Sequence, residues 1–197
     1  VDALNRKQYL YHPLWTKLRN HTKFYRLKSF GEILPEIRKR LNKDLYLAGL
    51  PKEKVLALVV SLMEKTSIRI GNGVYEKLYG SFGLSTLKDK HADIKSNSVK
   101  FSFKGKKGVE HSISLKSKKL AKLVQQCKDI PGKELFQYYD ESGKRHSIDS
   151  GMVNEYAKEL SGQDFTCKDF RTWSGTVQAL LAFNEIGGFN SETEAKK

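Results

Sequence analysis

Val99-Lys100-Phe101-Ser102-Phe103-Lys104-Gly105-Lys106-Lys107-Gly108-Val109-Glu110-His111-Ser112-Ile113-Ser114-Leu115 alternates apolar and polar residues on either side of a short turn. Val99, Phe101 and Phe103 share one face of the first arm. Val109, His111, Ile113 and Leu115 share one face of the second. A period of two with one apolar face predicts a pair of half-buried strands. The glycine-flanked Gly105-Lys106-Lys107-Gly108 between them predicts a tight turn with lysines at its tip. The segment therefore reads as an antiparallel β-hairpin. His91 to Ile94 just before it is short and strand-like.

Outward from the hairpin the period changes to that of a helix. Val55 to Met63 is apolar on almost every side, which predicts a helix buried all round. Gly49-Leu50-Pro51 breaks the chain before it and sets Pro51 at the helix start. Between 24 and 47, Phe24, Leu27, Phe30, Ile33, Leu34, Ile37 and Leu41 recur at helical spacing, and Pro35 is expected to kink or split that helix. After the hairpin come helices at about 117–127 and 149–160, with a loop at Asp140-Glu141-Ser142-Gly143. A last long helix is expected from about 168, opened by a Thr166-x-x-Asp169 cap, with Phe170, Trp173, Val177, Leu180 and Leu181 on its apolar face. The reading is a mainly α protein with a small antiparallel β-sheet, divided into a helical lobe over 1–80 and a mixed lobe over 81–197.

Hydrophobic residues make up 39% of the 197 and charged residues 29%, enough apolar material for a core. Thirty-six basic against 22 acidic residues leave a formal charge of +14. That excess points to a polyanionic partner, nucleic acid before an anionic membrane surface. No apolar run reaches the roughly 18 residues of a membrane span. Cys127 and Cys167 are far apart, with no CxxC or Cys/His cluster, which argues against a disulfide scaffold or a zinc finger. No metal site and no cofactor are expected. P-loop, GxGxxG, HExxH and GxSxG patterns are all missing.

What remains are basic groups set among apolar elements. Arg69 follows the buried helix in Ser67-Ile68-Arg69-Ile70-Gly71-Asn72. Lys106 sits on the hairpin tip. Arg171 lies in the first turn of the last helix, where the helix dipole disfavours a cation. Each has an ordinary explanation: Arg69 in an ion pair with Glu64, Lys106 as a solvated turn lysine, Arg171 as a surface arginine or a partner of Asp169.

Taken together the segments resemble a known family. Gln8-Tyr9-Leu10-Tyr11, Ile68-Arg69-Ile70-Gly71 with Val74-Tyr75, Gly83-Leu84-Ser85-Thr86-Leu87-Lys88-Asp89-Lys90-His91, Phe103-Lys104-Gly105-Lys106 and Lys168-Asp169-Phe170-Arg171-Thr172-Trp173 occur in the order found in type IB DNA topoisomerases of the small poxviral and bacterial kind. The 37-residue offset from Arg69 to Lys106 fits that family's arginine-to-lysine spacing. The resemblance implies a two-lobed catalytic domain shared in plan with the tyrosine recombinases. It also implies double-stranded DNA as partner, a monomer, and no membrane. The implied reaction relaxes supercoils without ATP or metal, through a transient 3′-phosphotyrosine. By motif, Arg69, Lys106 and Arg171 would be catalytic. Arg6, Lys7, Tyr9, Tyr11, Tyr75 and Lys168 would contact DNA. The implied location is the bacterial cytoplasm and nucleoid, or a virion or nucleus for a viral or eukaryotic source.

The family's remaining members, a G-[HN]-T-P segment and a nucleophilic tyrosine after it, have no counterpart in these residues. The chain opens on Val1, and Ser191 with Glu194 makes a capping box close to the last residue. The expectation is a piece of a longer protein with its nucleophile beyond residue 197. Two other readings stand beside it. A tyrosine recombinase or integrase would carry a histidine two or three places before the second arginine, where this chain has Lys168 and Asp169. A non-catalytic DNA-binding module would account for the charge but not for the three cations in their motifs.

Overall fold

A computed structural model describes residues 9–188, 191 and 193. The helices are α1 (Pro13–Asp44), α2 (Lys52–Thr66), α3 (Gly73–Tyr79), α4 (Lys118–Lys128), α5 (Ser150–Ser161) and α6 (Cys167–Ile186). The strands are β1 (Ala92–Lys95), β2 (Ser98–Lys104), β3 (Glu110–Lys116), β4 (Gln137–Tyr139) and β5 (Arg145–Ser147). The molecule is mainly helical, with one three-stranded antiparallel sheet in the order β1-β2-β3 and a two-stranded β4-β5 ribbon.

The centre is α2. Every residue from Val55 to Met63 is buried, and the helix touches α1, α4, α5, α6 and β4. A helix apolar on all sides can be stable only inside such a ring of neighbours. One hydrophobic cluster runs from Phe30 of α1 through α2 and the sheet to Phe170 of α6. The expected β2-β3 hairpin is present, with Phe101 opposite Ile113 and Phe103 opposite His111. Its β2 face is fully buried at Val99, Phe101 and Phe103.

Four sequence expectations change. Pro35 does not split its helix: α1 is continuous through it. Pro35 lies on the exposed side, while Phe30, Leu34, Ile37 and Leu41 around it are buried. The lost N–H bond therefore falls on the solvent face, where water can satisfy the freed carbonyl, and core packing holds both halves in line. Phe24, expected on the apolar face, is 53% exposed, because the core covers α1 only from Leu27 onward. Leu180 and Leu181 are also exposed, at 60% and 56%. Only the first turns of α6 meet the body, through Phe170 and Trp173 against Phe30. The expected 140–143 loop proves to be the turn of the β4-β5 hairpin, whose three-residue strands are too short to show a period. Its Asp140 accepts hydrogen bonds from Ser142 and from the Lys144 N–H and pairs with His146, which together hold the carboxyl well below its usual pKa.

Thr166 and Asp169 form the anticipated capping box of α6. The capping box expected at Ser191 needs Glu194, which lies outside the described residues. No described helix is long and apolar enough to cross a membrane.

Candidate active site

Three separate parts of the chain meet at one cleft. Arg69, Asn72, Tyr75 and Tyr79 come from the segment after α2 and from α3. Lys104, Lys106 and Lys107 come from the hairpin, and Lys168 and Arg171 from the start of α6. The cleft encloses about 1170 Å³. Among the described residues, every charged residue lining it is a lysine or arginine.

The Arg69 segment is held by backbone. Ser67 ends α2 in the left-handed region at φ +55°, which redirects the chain out of the helix. The extended residues that follow are then clamped. Leu84 N–H donates to the Arg69 carbonyl at 2.8 Å, and Ser85 N–H and Oγ donate to the Ile70 carbonyl at 2.7 and 2.9 Å. Ser67 Oγ also shares a 2.7 Å hydrogen bond with Ser174 Oγ, one turn beyond Arg171 on α6. The loop bearing one arginine is thereby tied to the helix bearing the other.

The ion pairs that would explain Arg69 and Arg171 do not form, while Lys106 is exposed at the hairpin tip as a solvated turn lysine would be. Glu64 pairs with Arg38 at 2.6 Å rather than with Arg69. Asp169 is taken by the Thr166 cap and by Arg26, at 3.9 Å. Among the described residues no acidic side chain pairs with Arg69, Lys106 or Arg171. Arg171 is half-buried. Burial, and after it the charge of Arg69, lowers the pKa of its guanidinium, so the two arginines stand close enough to repel. Packing that holds like charges together around an open cleft leaves them to be neutralised by an anion from outside.

Of the other candidates, Tyr75 and Lys168 line the cleft. Tyr75 is 57% exposed and stacks on Tyr79 at 5.9 Å between centroids. Tyr9 and Tyr11 are exposed ahead of α1 and are not part of the cleft wall. Arg6 and Lys7 lie outside the described residues. The sequence reading missed Asn72, Tyr79, Lys104, Lys107 and His111. Tyr79 follows Tyr75 by one helical turn, a signal the sequence does carry. Asn72 caps α3 by accepting from Val74 N–H at 2.8 Å. His111 reaches a hollow between the hairpin and Arg69. Both cysteines are buried, with thiols pushed up to about 12 by burial, and are poor nucleophiles. No group of three metal-ligating side chains occurs among the described residues.

Residues 13–197 match the family described as eukaryotic DNA topoisomerase I, catalytic core. DNA topoisomerase 1B of Acanthamoeba polyphaga mimivirus is 30% identical over 189 residues, which cover 92% of this chain and 56% of that protein. DNA topoisomerase 1B of Vaccinia virus (strain Copenhagen) is 27% identical over 183 residues, covering 92% of this chain and 55% of the viral protein. The chain thus spans little more than half the length of these curated relatives. Among solved structures, the XerH site-specific recombinase bound to palindromic difH substrate, in its post-cleavage complex, aligns with a TM-score of 0.50 at 13% identity. That alignment covers 74% of this chain and 40% of the recombinase, and it is a likeness of fold.

Proposed function

This chain belongs to the eukaryotic DNA topoisomerase I catalytic-core family, and from that membership we propose that it supplies the phosphate-binding part of a type IB topoisomerase. The observation that carries the reading is the cleft whose described charged lining is wholly cationic, with no acidic partner for Arg69, Lys106 or Arg171 among the described residues. The ligand is a phosphodiester of double-stranded DNA. Both lobes of the sequence reading, 1–80 and 81–197, contribute residues to it: Arg69 and Tyr75 come from the first, Lys106, Lys168 and Arg171 from the second.

The reaction is reversible transesterification. A tyrosine oxygen attacks phosphorus, a 3′-phosphotyrosine forms, and the 5′-oxygen leaves. Strand rotation relaxes the torsion, and the 5′-hydroxyl then attacks back and expels the tyrosine. The protein–DNA bond conserves the phosphodiester energy, so the cycle calls for no ATP. Arg69 and Arg171 hold fixed N–H forks against the non-bridging oxygens, where negative charge grows in the transition state. Lys106 gives its proton to the departing 5′-oxygen. The tyrosine is not assigned to any residue of this chain. Tyr75 and Lys168, with Arg6, Lys7, Tyr9 and Tyr11 ahead of α1, bind the DNA backbone outside the reacting bond. The protein acts as a monomer. It works where duplex DNA is held: cytoplasm and nucleoid, or a virion or nucleus.

The test is single-turnover cleavage of a duplex by the full-length protein that carries this sequence. Arg69→Ala and Arg171→Ala should each slow cleavage and religation by roughly 10²–10³, the scale of losing one preorganised charge-stabilising donor. Both steps share a transition state, so both must slow. Lys106→Ala should slow cleavage of ordinary DNA but recover on a substrate whose 5′-bridging oxygen is sulfur, because a thiolate leaves without a proton. Arginine variants that cleave as fast as wild type would sink the reading.

A further inference from the structure

Gly105 immediately precedes Lys106, and its φ of −99° is not one that demands a glycine. What the position lacks is room. A Cβ placed there would stand 2.5 Å from both Cδ2 and Nε2 of His111. That imidazole is held in place from below. His111 pairs in register with Phe103 across the hairpin, and their rings stack at 5.1 Å between centroids and 27° between planes. Phe103 is 5% exposed and belongs to the core. The contacts therefore run without a break from core to Phe103, to the His111 ring, to the Gly105 backbone.

Phe82 N–H donates to the Lys104 carbonyl at 2.8 Å and ties the strand to the body up to that residue; beyond it the turn is held by its own bonds and by the ring. Gly105 N–H donates to the Val109 carbonyl at 2.7 Å and Gly108 N–H to the Gly105 carbonyl at 3.1 Å. Those bonds close the turn but do not set its angle to the body of the protein. His111 also shares a hollow with Arg69, Lys106, Lys107 and Val109. It thus stands where the hairpin tip faces the other side of the cleft.

We infer that His111 is a positioning residue for Lys106: its ring, stacked on Phe103 and seated in the space left by Gly105, sets the angle at which the turn presents Lys106 to the scissile phosphate. The inference rests on the reading of Lys106 as proton donor to the leaving oxygen. A ring that merely stabilised the hairpin would affect every step of the reaction alike. A ring that aims Lys106 affects the one step that needs its proton.

The experiment compares oxygen- and sulfur-bridged duplexes in single-turnover cleavage by the full-length protein. His111→Ala should slow the oxygen substrate by roughly tenfold to a hundredfold, the scale of a group misplaced by about 1 Å. The same variant should cleave the sulfur substrate within a few-fold of wild type, as Lys106→Ala does and Arg171→Ala does not. His111→Phe keeps a stacked ring and should recover most of the lost rate. Gly105→Ala, whose Cβ evicts the imidazole, should reproduce the sulfur-sensitive defect without touching His111, and should add little to His111→Ala in the double variant. If Lys106→Ala is rescued by sulfur but His111→Ala and Gly105→Ala lose both substrates equally, the inference is overturned and the proton-donor reading stands. If Lys106→Ala itself gains nothing from sulfur, the proton-donor reading falls and takes the inference with it.

Discussion

Arg69 is placed by a glycine on a neighbouring stretch of chain. Gly83 is extended at φ −156°, a conformation any residue adopts. Yet a Cβ there would come within 2.5 Å of the Arg69 carbonyl and the Gly71 nitrogen. Those are backbone atoms that cannot rotate aside, so Gly83→Ala must push apart the two strands of chain that carry the Arg69 segment. The expected cost is about 1–3 kcal/mol, as for other overpacked sites, visible as a lower urea midpoint with unchanged slope. Duplex-DNA affinity should fall along with it, since Arg69 moves with its carbonyl. An alanine tolerated at wild-type midpoint and affinity would contradict this account. Tyr156 offers a second test at the same scale. Its buried hydroxyl donates to Asp44 at 2.6 Å, joining α5 to the end of α1, and burial together with that bond raises its pKa. Tyr156→Phe removes a charge-assisted hydrogen bond and should cost about 1.5–3 kcal/mol in denaturant unfolding.

Among the elements, α3 is the smallest helix of the cleft wall and has no buried residue. A cluster of charge, rather than a core face, holds it. Lys88 Nζ lies 2.7 Å from Glu76 on α3 and 3.2 Å from Glu134, in the segment before β4. Burial opposes charge on Lys88, but its hydrogen bonds and attraction to both glutamates outweigh burial, and its pKa is raised. Burial likewise opposes charge on Glu134, and the Lys88 hydrogen bond with backbone donors outweighs it, so that pKa is lowered. The linkage has two sides. The raised amine contributes stability below its ordinary 10.5, lost as pH rises through its folded value. The lowered carboxyl contributes stability above its ordinary 4.5, lost as pH falls through its folded value. Lys88→Met should therefore destabilise by about 1 kcal/mol across the window between those values and by little on the acid side of it. Thermal melts of wild type and variant across the pH range read the difference directly. A pH-independent gap would assign the effect to packing instead. The sequence offers Lys88 inside a motif but gives no sign that Glu76 and Glu134 are its partners, because those contacts bridge segments remote along the chain.

On the scale of the whole molecule, a formal +14 becomes a functional statement only because part of it is gathered in one cleft. The 197 residues alone should bind duplex DNA without cleaving it, since no tyrosine in them is assigned as nucleophile. Affinity should fall linearly in a log–log plot against salt, with Arg69→Ala or Arg171→Ala lowering the slope by about one phosphate contact. Titrations of a labelled duplex at several salt concentrations measure this. A salt-independent affinity would mean that phosphates do not dominate the contact. Cleavage by the 197 residues alone would place the nucleophile among their own tyrosines.

The sequence by itself determined what depends on near neighbours. The β2-β3 hairpin, the buried α2 and the Thr166–Asp169 cap are legible because period, turn chemistry and capping are properties of a few consecutive residues, whereas Arg69, Lys106 and Arg171 stand out only through the family resemblance of the segments around them. The tertiary structure decided whatever depends on segments that meet only when folded. Pro35 is harmless because its open side faces solvent, which no local pattern reports. Leu180 and Leu181 carry helical periodicity, yet no described neighbour covers them. Glu64 and Asp169 were the obvious local partners for the two arginines, but Arg38, Arg26 and the Thr166 cap reach them first. The cleft is cationic because packing brings three basic segments together and directs the nearby carboxylates elsewhere. Gly105 reads in sequence as a turn residue, and only the position of the His111 ring shows that it is a glycine for want of space.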